Sequence, residues 1–351
     1  MPVKTRNLPR LALISAVFAL VTTACAAEEA PLDWLRPAGP IARDVGNLWT
    51  LVFWVAVAVF FLVEGAIVYA MFRFRARPGD TEPPRQTHGN TVLELTWTAV
   101  PALILIVLAI PTLAGIWALA AEPQFHDQST GERGALEIRV TGAQWWWRYD
   151  YLDDKLTTAN ELHVPVNRPV RLQLESADII HSYWVPRLAG KQDVVPGRTN
   201  LLTIEADRPG EYHGTCVEYC GLSHANMRFR VFAHEPEDYR KWVREQKRDL
   251  LEPTGAKAKE GMKVFLAQQC VTCHTIRGTK AEGTTGPDLT HFASRETFAA
   301  AIFERNERNL RRWLIDAPAE KPGSKMPAGV AEMGLTEKDI DVLIAFLQGL
   351  R

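Results

Sequence analysis

Cysteine is scarce. The chain has five in 351 residues: Cys216, Cys220, Cys270 and Cys273 fall in two dense motifs, and Cys25 lies in an apolar leader. None is left for a structural disulfide, so a disulfide-stapled scaffold is excluded and the thiols are free for cofactors. An excess of one charge is also missing. The formal net charge is −1, which removes any basic surplus that would point to nucleic acid. There is no internal repeat and no long low-complexity tract. What is plentiful is apolar: 47% of residues are hydrophobic and 11 are tryptophan. That balance fits a chain that is partly membrane and partly globular, long enough for two domains plus further segments.

The apolar residues are unevenly spread. Lys4, Arg6 and Arg10 precede an apolar core from Leu11 to Val21 and the small residues Ala24-Cys25-Ala26. Residues 1–26 therefore read as a signal peptide. Lipoprotein processing at Cys25 and a retained helix are the alternatives. A two-helix transmembrane hairpin is expected over 40–122, with spans at about 48–72 and 95–119. Pro101 and Pro111 interrupt the second span, which neighbouring helices can tolerate. Arg73, Arg75, Arg77 and Arg85 lie between the spans. By the positive-inside rule that loop is cytoplasmic, which puts everything after the second span on the outer side. Glu64 is a single acid deep in the first span; its position makes it a functional candidate, and a buried hydrogen bond to another subunit is the simpler reading.

From 133 to 247 the pattern changes to short alternating segments such as Ala135–Val140, Arg171–Leu174 and Asn200–Ile204. Turn signals at Asn167-Arg-Pro169, Pro196-Gly197 and Arg208-Pro-Gly210 separate them. This predicts an all-β sandwich or barrel. A charged helix over Glu237–Leu250 leads into a linker at 248–256. Residues 257–351 read as all-α, with helices over Lys259–Gln268, Phe298–Asn306, Leu310–Asp316 and Glu337–Leu350. Thr336 and Asp339 form a capping box for the last one.

Two motifs carry the chemistry. Cys216-Val-Glu-Tyr-Cys220-Gly-Leu-Ser-His224-Ala-Asn-Met227 packs two thiols, an imidazole and a thioether into twelve residues. Soft donors at that density select copper over hard cations. His181, in Asp178-Ile-Ile-His-Ser-Tyr-Trp184, is a further nitrogen donor if a strand end brings it to the cysteine loop. A zinc site or a Cys216–Cys220 disulfide is the simpler alternative, and the thioether of Met227 argues against zinc. The second motif, Cys270-Val-Thr-Cys273-His274, is an attachment signature for c-type haem. Met326, Met333, Met262 and His291 are the available distal ligands, and a loop position suggests an exposed role for His291. Two redox centres on one chain mean that the chain moves electrons.

Cys-x-Glu-x-Cys-x-x-x-His-x-x-Met, with His181 upstream, resembles the binuclear copper (CuA) centre of cytochrome c oxidase subunit II. The likeness covers nearly all of residues 40–247. It implies a cupredoxin domain and the copper ligands His181, Cys216, Glu218 through its carbonyl, Cys220, His224 and Met227. It also implies a magnesium ion reached by the Glu218 side chain at the boundary with subunit I. Asp193, in Lys-Gln-Asp-Val-Val-Pro-Gly-Arg198, resembles the segment near that ion. In Gln144-Trp-Trp-Trp147 the resemblance makes Trp145 the ring through which electrons arrive. Core packing is the simpler reading of all three rings. Strand alternation would put Trp145 and Trp147 on one face and Trp146 on the other. Glu94, in Glu-Leu-Thr-Trp97, matches an acid marking a proton pathway into subunit I, besides being an acid that favours a helix N-terminus.

Gly286-Pro-Asp-Leu289 resembles the loop of bacterial c-type cytochromes; Met262 is poorly placed in the preceding helix, and between Met326, in Lys-Met-Pro327, and Met333 it is the family resemblance that favours Met326 as distal ligand. A cytochrome c domain fused behind subunit II is the arrangement of caa-type haem–copper oxidases. The resemblance thus implies a proton-translocating cytochrome c oxidase subunit in a bacterial cytoplasmic membrane, with both metal domains outside. Its partners would be subunit I, subunit III and cytochrome c or another respiratory donor. The alternatives are the copper subunit of a nitric oxide reductase, a quinol oxidase subunit, which would lack the copper ligands, and a membrane-anchored carrier.

Overall fold

The protein was analysed as a computed structural model, which describes residues 30–75, 79, 86, 88–120 and 134–351. The leader at 1–26, Arg77 and Arg85 lie outside the described residues.

Two long helices come first, α1 (Pro40–Arg73) and α2 (Thr91–Ala120). Both are long and apolar enough to cross a membrane, and their large apolar side chains, Phe60, Phe61, Leu62 and Ile106 among them, are exposed. Each helix runs past the apolar stretch that marks it in the sequence. Pro40 opens α1, where its missing N–H costs nothing. The start of α1 is stitched to the domain that follows. Ala38 donates its N–H to the Arg187 carbonyl and accepts from Asp207 N–H, at 2.7 and 2.8 Å, and Arg43 pairs with Asp207. Ala38 and Ala42 are buried there.

Residues 136–234 form two five-stranded sheets. One has the order β3 (Leu156–Ala159), β2 (Trp146–Tyr151), β1 (Leu136–Ala143), β5 (Val170–Ser176), β8 (Asn200–Ile204). The other has the order β4 (Glu161–Pro165), β10 (Arg228–His234), β9 (Gly210–Cys216), β6 (His181–Trp184), β7 (Lys191–Val194). Alternation sends Trp147, Tyr149 and Tyr151 of β2 into the core while Trp146, Arg148 and Asp150 are only half-buried. Trp147 packs edge-on to Tyr183 and Phe229, an aromatic floor beneath the cysteine loop. Trp145 escapes the alternation because it sits in the turn between β1 and β2.

Helix α3 (Pro236–Gln246) follows, shorter than its charge pattern predicts. The last domain is built on α4 (Ala256–Ala267), the short turn α5 (Cys270–Cys273), α6 (Glu307–Ile315), α7 (Ala317–Glu320) and α8 (Glu337–Leu347), with α4 packed on α8. The Thr336–Asp339 capping box is present. Two expectations fail here. Phe298–Asn306 is not a helix. Thr297–Phe298 and Phe303–Glu304 pair as a small hairpin around Ala299, Ala300 and Ala301, all at positive φ. Helix propensity loses because Phe298 and Phe303 pack with Trp313, and the backbone at Glu296 and Thr297 is held by a side chain of the other domain. His291 is buried, not exposed: its ring donates to the Arg248 carbonyl at 2.9 Å across the interdomain segment.

Candidate metal centre

Strand order explains how His181 reaches the cysteines. It opens β6, and Cys216 closes the neighbouring β9, with Tyr183 opposite Cys216. Residues 217–227 are the connection from β9 to β10. The Cys216 N–H donates to the Met227 carbonyl at 3.0 Å, which closes the base of this loop and brings both sulfurs to one end. A 3-10 turn at His224–Asn226 folds the loop back on itself.

The donors converge. The Cys216 and Cys220 sulfurs are 3.8 Å apart, and Cys220 Sγ lies 3.5 Å from His224 Nδ1 and 3.8 Å from Met227 Sδ. The Glu218 carbonyl lies 3.3 Å from Cys216 Sγ. His181, Cys216 and Cys220 present ligand atoms all within 4.8 Å of one another, and all three residues are buried. His181 Nε2–H donates to Asp178 at 2.8 Å, while its Nδ1 is buried with no hydrogen-bond partner. A buried lone pair left unmet beside two thiols is what a soft metal ion would satisfy. The first proton to leave the thiol pair leaves Cys216, because the Cys220 thiol stabilises its thiolate against the effect of burial. Cys220, facing that charge, is pushed up, and a metal would remove the conflict. Glu218 and Asp193 are exposed at the rim, beside exposed Tyr219 and Leu222.

Trp145 is tied directly to this loop. Its Nε1–H donates to the Cys220 carbonyl at 2.8 Å, and Gln144 Nε2 donates to the same oxygen at 3.0 Å. The ring is only 7% exposed, because the last domain covers it. Lys321 Nζ donates to the Trp145 carbonyl at 2.5 Å, and a Cβ on Gly323 would lie 2.5 Å from Trp145 Cη2. Only glycine fits there, and its φ of +78° favours glycine as well.

In the last domain Cys270 and Cys273 flank a single helical turn, and His274 N–H donates back to the Cys270 carbonyl. His274 Nδ1–H donates to the Pro287 carbonyl at 2.8 Å, which leaves Nε2 as the free lone pair. Desolvation holds this imidazole below its ordinary pKa, so it is neutral and able to ligate. A Cβ on Gly286 would stand 2.8 Å from the His274 ring, so this loop approaches as backbone. Met326, Met333 and Met262 are all half-buried against the same core, so packing does not rank them. Glu94 lies in the exposed first turn of α2.

Four residues at the site are not singled out by the sequence. Asp178 was visible as a carboxylate three residues before His181. Glu161, Ser223 and Lys321, which join the two domains, had no local signal.

Three family descriptions match the chain: "Cytochrome C oxidase subunit II, transmembrane domain" over residues 29–114, "Cytochrome C oxidase subunit II, periplasmic domain" over 154–233, and "Cytochrome c" over 258–351. A cytochrome c oxidase subunit 2 from Alkalihalophilus pseudofirmus is 39% identical over 332 residues, 95% of this chain and 94% of that protein. The chain belongs to the cytochrome c oxidase subunit II family. The namesake from Bacillus subtilis is 32% identical over 352 residues, 97% of this chain and 98% of that protein. The crystal structure of the periplasmic domain of subunit II of cytochrome oxidase of Bradyrhizobium japonicum is 33% identical and matches with a TM-score of 0.32, covering 33% of this chain and 96% of that one. Membership makes the chain a membrane-bound subunit of a haem–copper oxidase complex, with copper and haem as the cofactors its family and its cytochrome c domain imply.

Proposed function

We propose that this chain is the electron-accepting subunit of a proton-translocating, caa-type cytochrome c oxidase. His181, Cys216, Cys220, His224, Met227 and the Glu218 carbonyl would hold a binuclear copper centre. Cys270 and Cys273 would bind haem c covalently, and His274 and Met326 would ligate its iron. When bound, these groups supply successive one-electron stations between a donor and the haem of subunit I, where oxygen is reduced to water. The observation that carries the reading is the convergence of His224 and Met227 on Cys220, with both thiols gathered beside the buried, unpartnered Nδ1 of His181.

The chain's own residues do the positioning. Asp178 fixes the His181 tautomer, and the Pro287 carbonyl fixes that of His274. Trp145 links the covering domain to the Cys220 carbonyl. The Glu218 side chain, exposed at the rim, would share a magnesium ion with subunit I. Glu94 would open a proton path into subunit I from the cytoplasmic side. The metal domains, over 133–247 and 257–351 and joined by the linker 248–256, would stand outside a bacterial cytoplasmic membrane. The hairpin of 40–122 would span it, the leader 1–26 having been removed. Subunit III, and cytochrome c or another respiratory donor, complete the partners.

The test is purification of the assembled complex followed by oxygen uptake. Rapid uptake with reduced cytochrome c is expected, and none with quinol. Quinol-driven uptake without bound copper would overturn the reading in favour of a quinol oxidase, the name carried by a Bacillus cereus relative that is 35% identical over 234 residues, 65% of this chain and 78% of that protein. Nitric oxide reduction in place of oxygen uptake would overturn it too.

A further inference from the structure

We propose that Glu161 is a positioning residue that latches the cytochrome c domain onto the copper domain, so that the segment carrying Met326 is held over Trp145. The proposal rests on the reading above for the roles of those two residues, and on hydrogen bonds for the latch itself. Glu161 opens β4 in the copper domain and is 1% exposed. Its carboxylate accepts from Thr297 N–H and Thr297 Oγ1, both at 2.7 Å, and from Glu296 N–H at 3.2 Å. All three donors belong to the cytochrome c domain. Buried carboxylates are rare unless they are fully paired, and every partner found for this one comes from across the interface.

The rest of the interface repeats the pattern. Lys321, 4% exposed, donates to the Trp145 carbonyl and, at 3.2 Å, to the Ala299 carbonyl. It therefore ties the hairpin that Glu161 grips to the tryptophan turn. Ser223, inside the copper loop, donates to the Pro322 carbonyl at 2.7 Å. Gly323 then backs onto the outer atoms of the Trp145 ring, Cη2 and Cζ3. Glu161 and Lys321 thus hold the two ends of one contact: the first fixes residues 296–297, the second residues 299 and 321, and between them segment 321–326 is pinned.

The consequence is a closed face. Trp145 is buried by this chain's own domain, so a soluble donor cannot reach it while the latch holds. Electrons from outside must arrive through the cytochrome c domain.

The experiment is hydroxyl-radical footprinting of the assembled oxidase, wild type against Glu161→Ala, read at individual tryptophans. Trp145 is shielded by the interface, and Trp147, fully buried in the copper domain, is shielded by the core. Undocking exposes only the first, whereas unfolding exposes both. Each charge-assisted hydrogen bond lost should weaken docking roughly tenfold. A marked rise in Trp145 oxidation with Trp147 unchanged is therefore expected. Glu161→Gln keeps an acceptor for Thr297 N–H and should fall between the two. Haem-to-copper electron transfer should slow in the same order while both absorption spectra stay intact. Unchanged Trp145 protection in Glu161→Ala would overturn the latch. If that variant does not accumulate, Glu161→Gln decides alone, and wild-type protection with wild-type transfer in it overturns the proposal. Absence of copper or haem absorption from the wild-type complex would instead fault the ligand assignments, and the latch would then stand or fall on Trp145 protection alone.

Discussion

Replacing Gly323 by alanine should loosen the cytochrome c domain, and replacing Trp145 by phenylalanine should partly restore it. The new methyl would lie 2.5 Å from Trp145 Cη2 and 2.8 Å from Cζ3. Neither atom has a counterpart in phenylalanine. Gly323→Ala alone carries two costs: about 1–2 kcal/mol for an L side chain at left-handed φ, and about 1–3 kcal/mol for overpacking. Trp145→Phe alone loses the indole N–H bond to the Cys220 carbonyl, about 0.5–1.5 kcal/mol. That carbonyl still accepts from Gln144, so it is not orphaned. In the double variant the backbone cost stays and the overpacking goes, which predicts a favourable coupling of about 1–3 kcal/mol. The assay is amide exchange over residues 321–326 in all four members of the cycle, with strand β1 as the internal reference. Strict additivity, within about 0.5 kcal/mol, would refute the contact between Gly323 and Trp145 and with it the docked arrangement.

Cys216→Ser and Cys220→Ser should each abolish copper absorption and oxygen uptake while haem attachment survives; normal turnover in either would refute the copper assignment. Asp178→Asn should lower copper affinity about 10- to 100-fold by releasing the His181 tautomer, measured by competition with a copper chelator, and unchanged affinity would remove Asp178 from that role. Met326→Ala should remove the methionine–iron charge-transfer band and lower the haem potential, while Met333→Ala should leave both intact; the reverse result transfers the ligand role to Met333. Glu94→Gln should leave copper reduction fast but slow steady-state turnover at normal subunit assembly, and full turnover would leave Glu94 as a helix-start acid.

The proposed copper loop was legible because its donors are local: four side chains within twelve residues, closed by one hairpin. His181 was legible only through resemblance, since its place depends on β6 lying beside β9, a pairing no local pattern fixes. Alternation separates Trp147, in the core, from half-buried Trp146, but does not apply to Trp145, which belongs to a turn. The last domain was misread wherever the other domain intervened. The alanine-rich run after Phe298 has every helical preference, yet Glu161 captures the backbone just before it. His291 looks like a loop residue and is covered by the segment at Arg248. Glu161 and Lys321 give no local signal, because their partners in the other domain lie 135 residues or more away in sequence. Contacts between domains leave no periodicity to find.

The joint between Ala38 and the copper domain makes α1 a load-carrying strut. Its 34 residues rise roughly 50 Å at about 1.5 Å each, against a hydrocarbon layer of about 30 Å. Several turns therefore stand clear of the hydrocarbon, capped by a rigid connection through Arg187 and Asp207. Height and bearing of the copper loop above the bilayer are then set by helix length. One residue added between Ala42 and the membrane would lift the loop by about 1.5 Å and swing it by about 100° around the helix axis. The rim of Glu218, Tyr219 and Leu222 would then face a different side of the complex, with the cluster of soft donors itself unchanged.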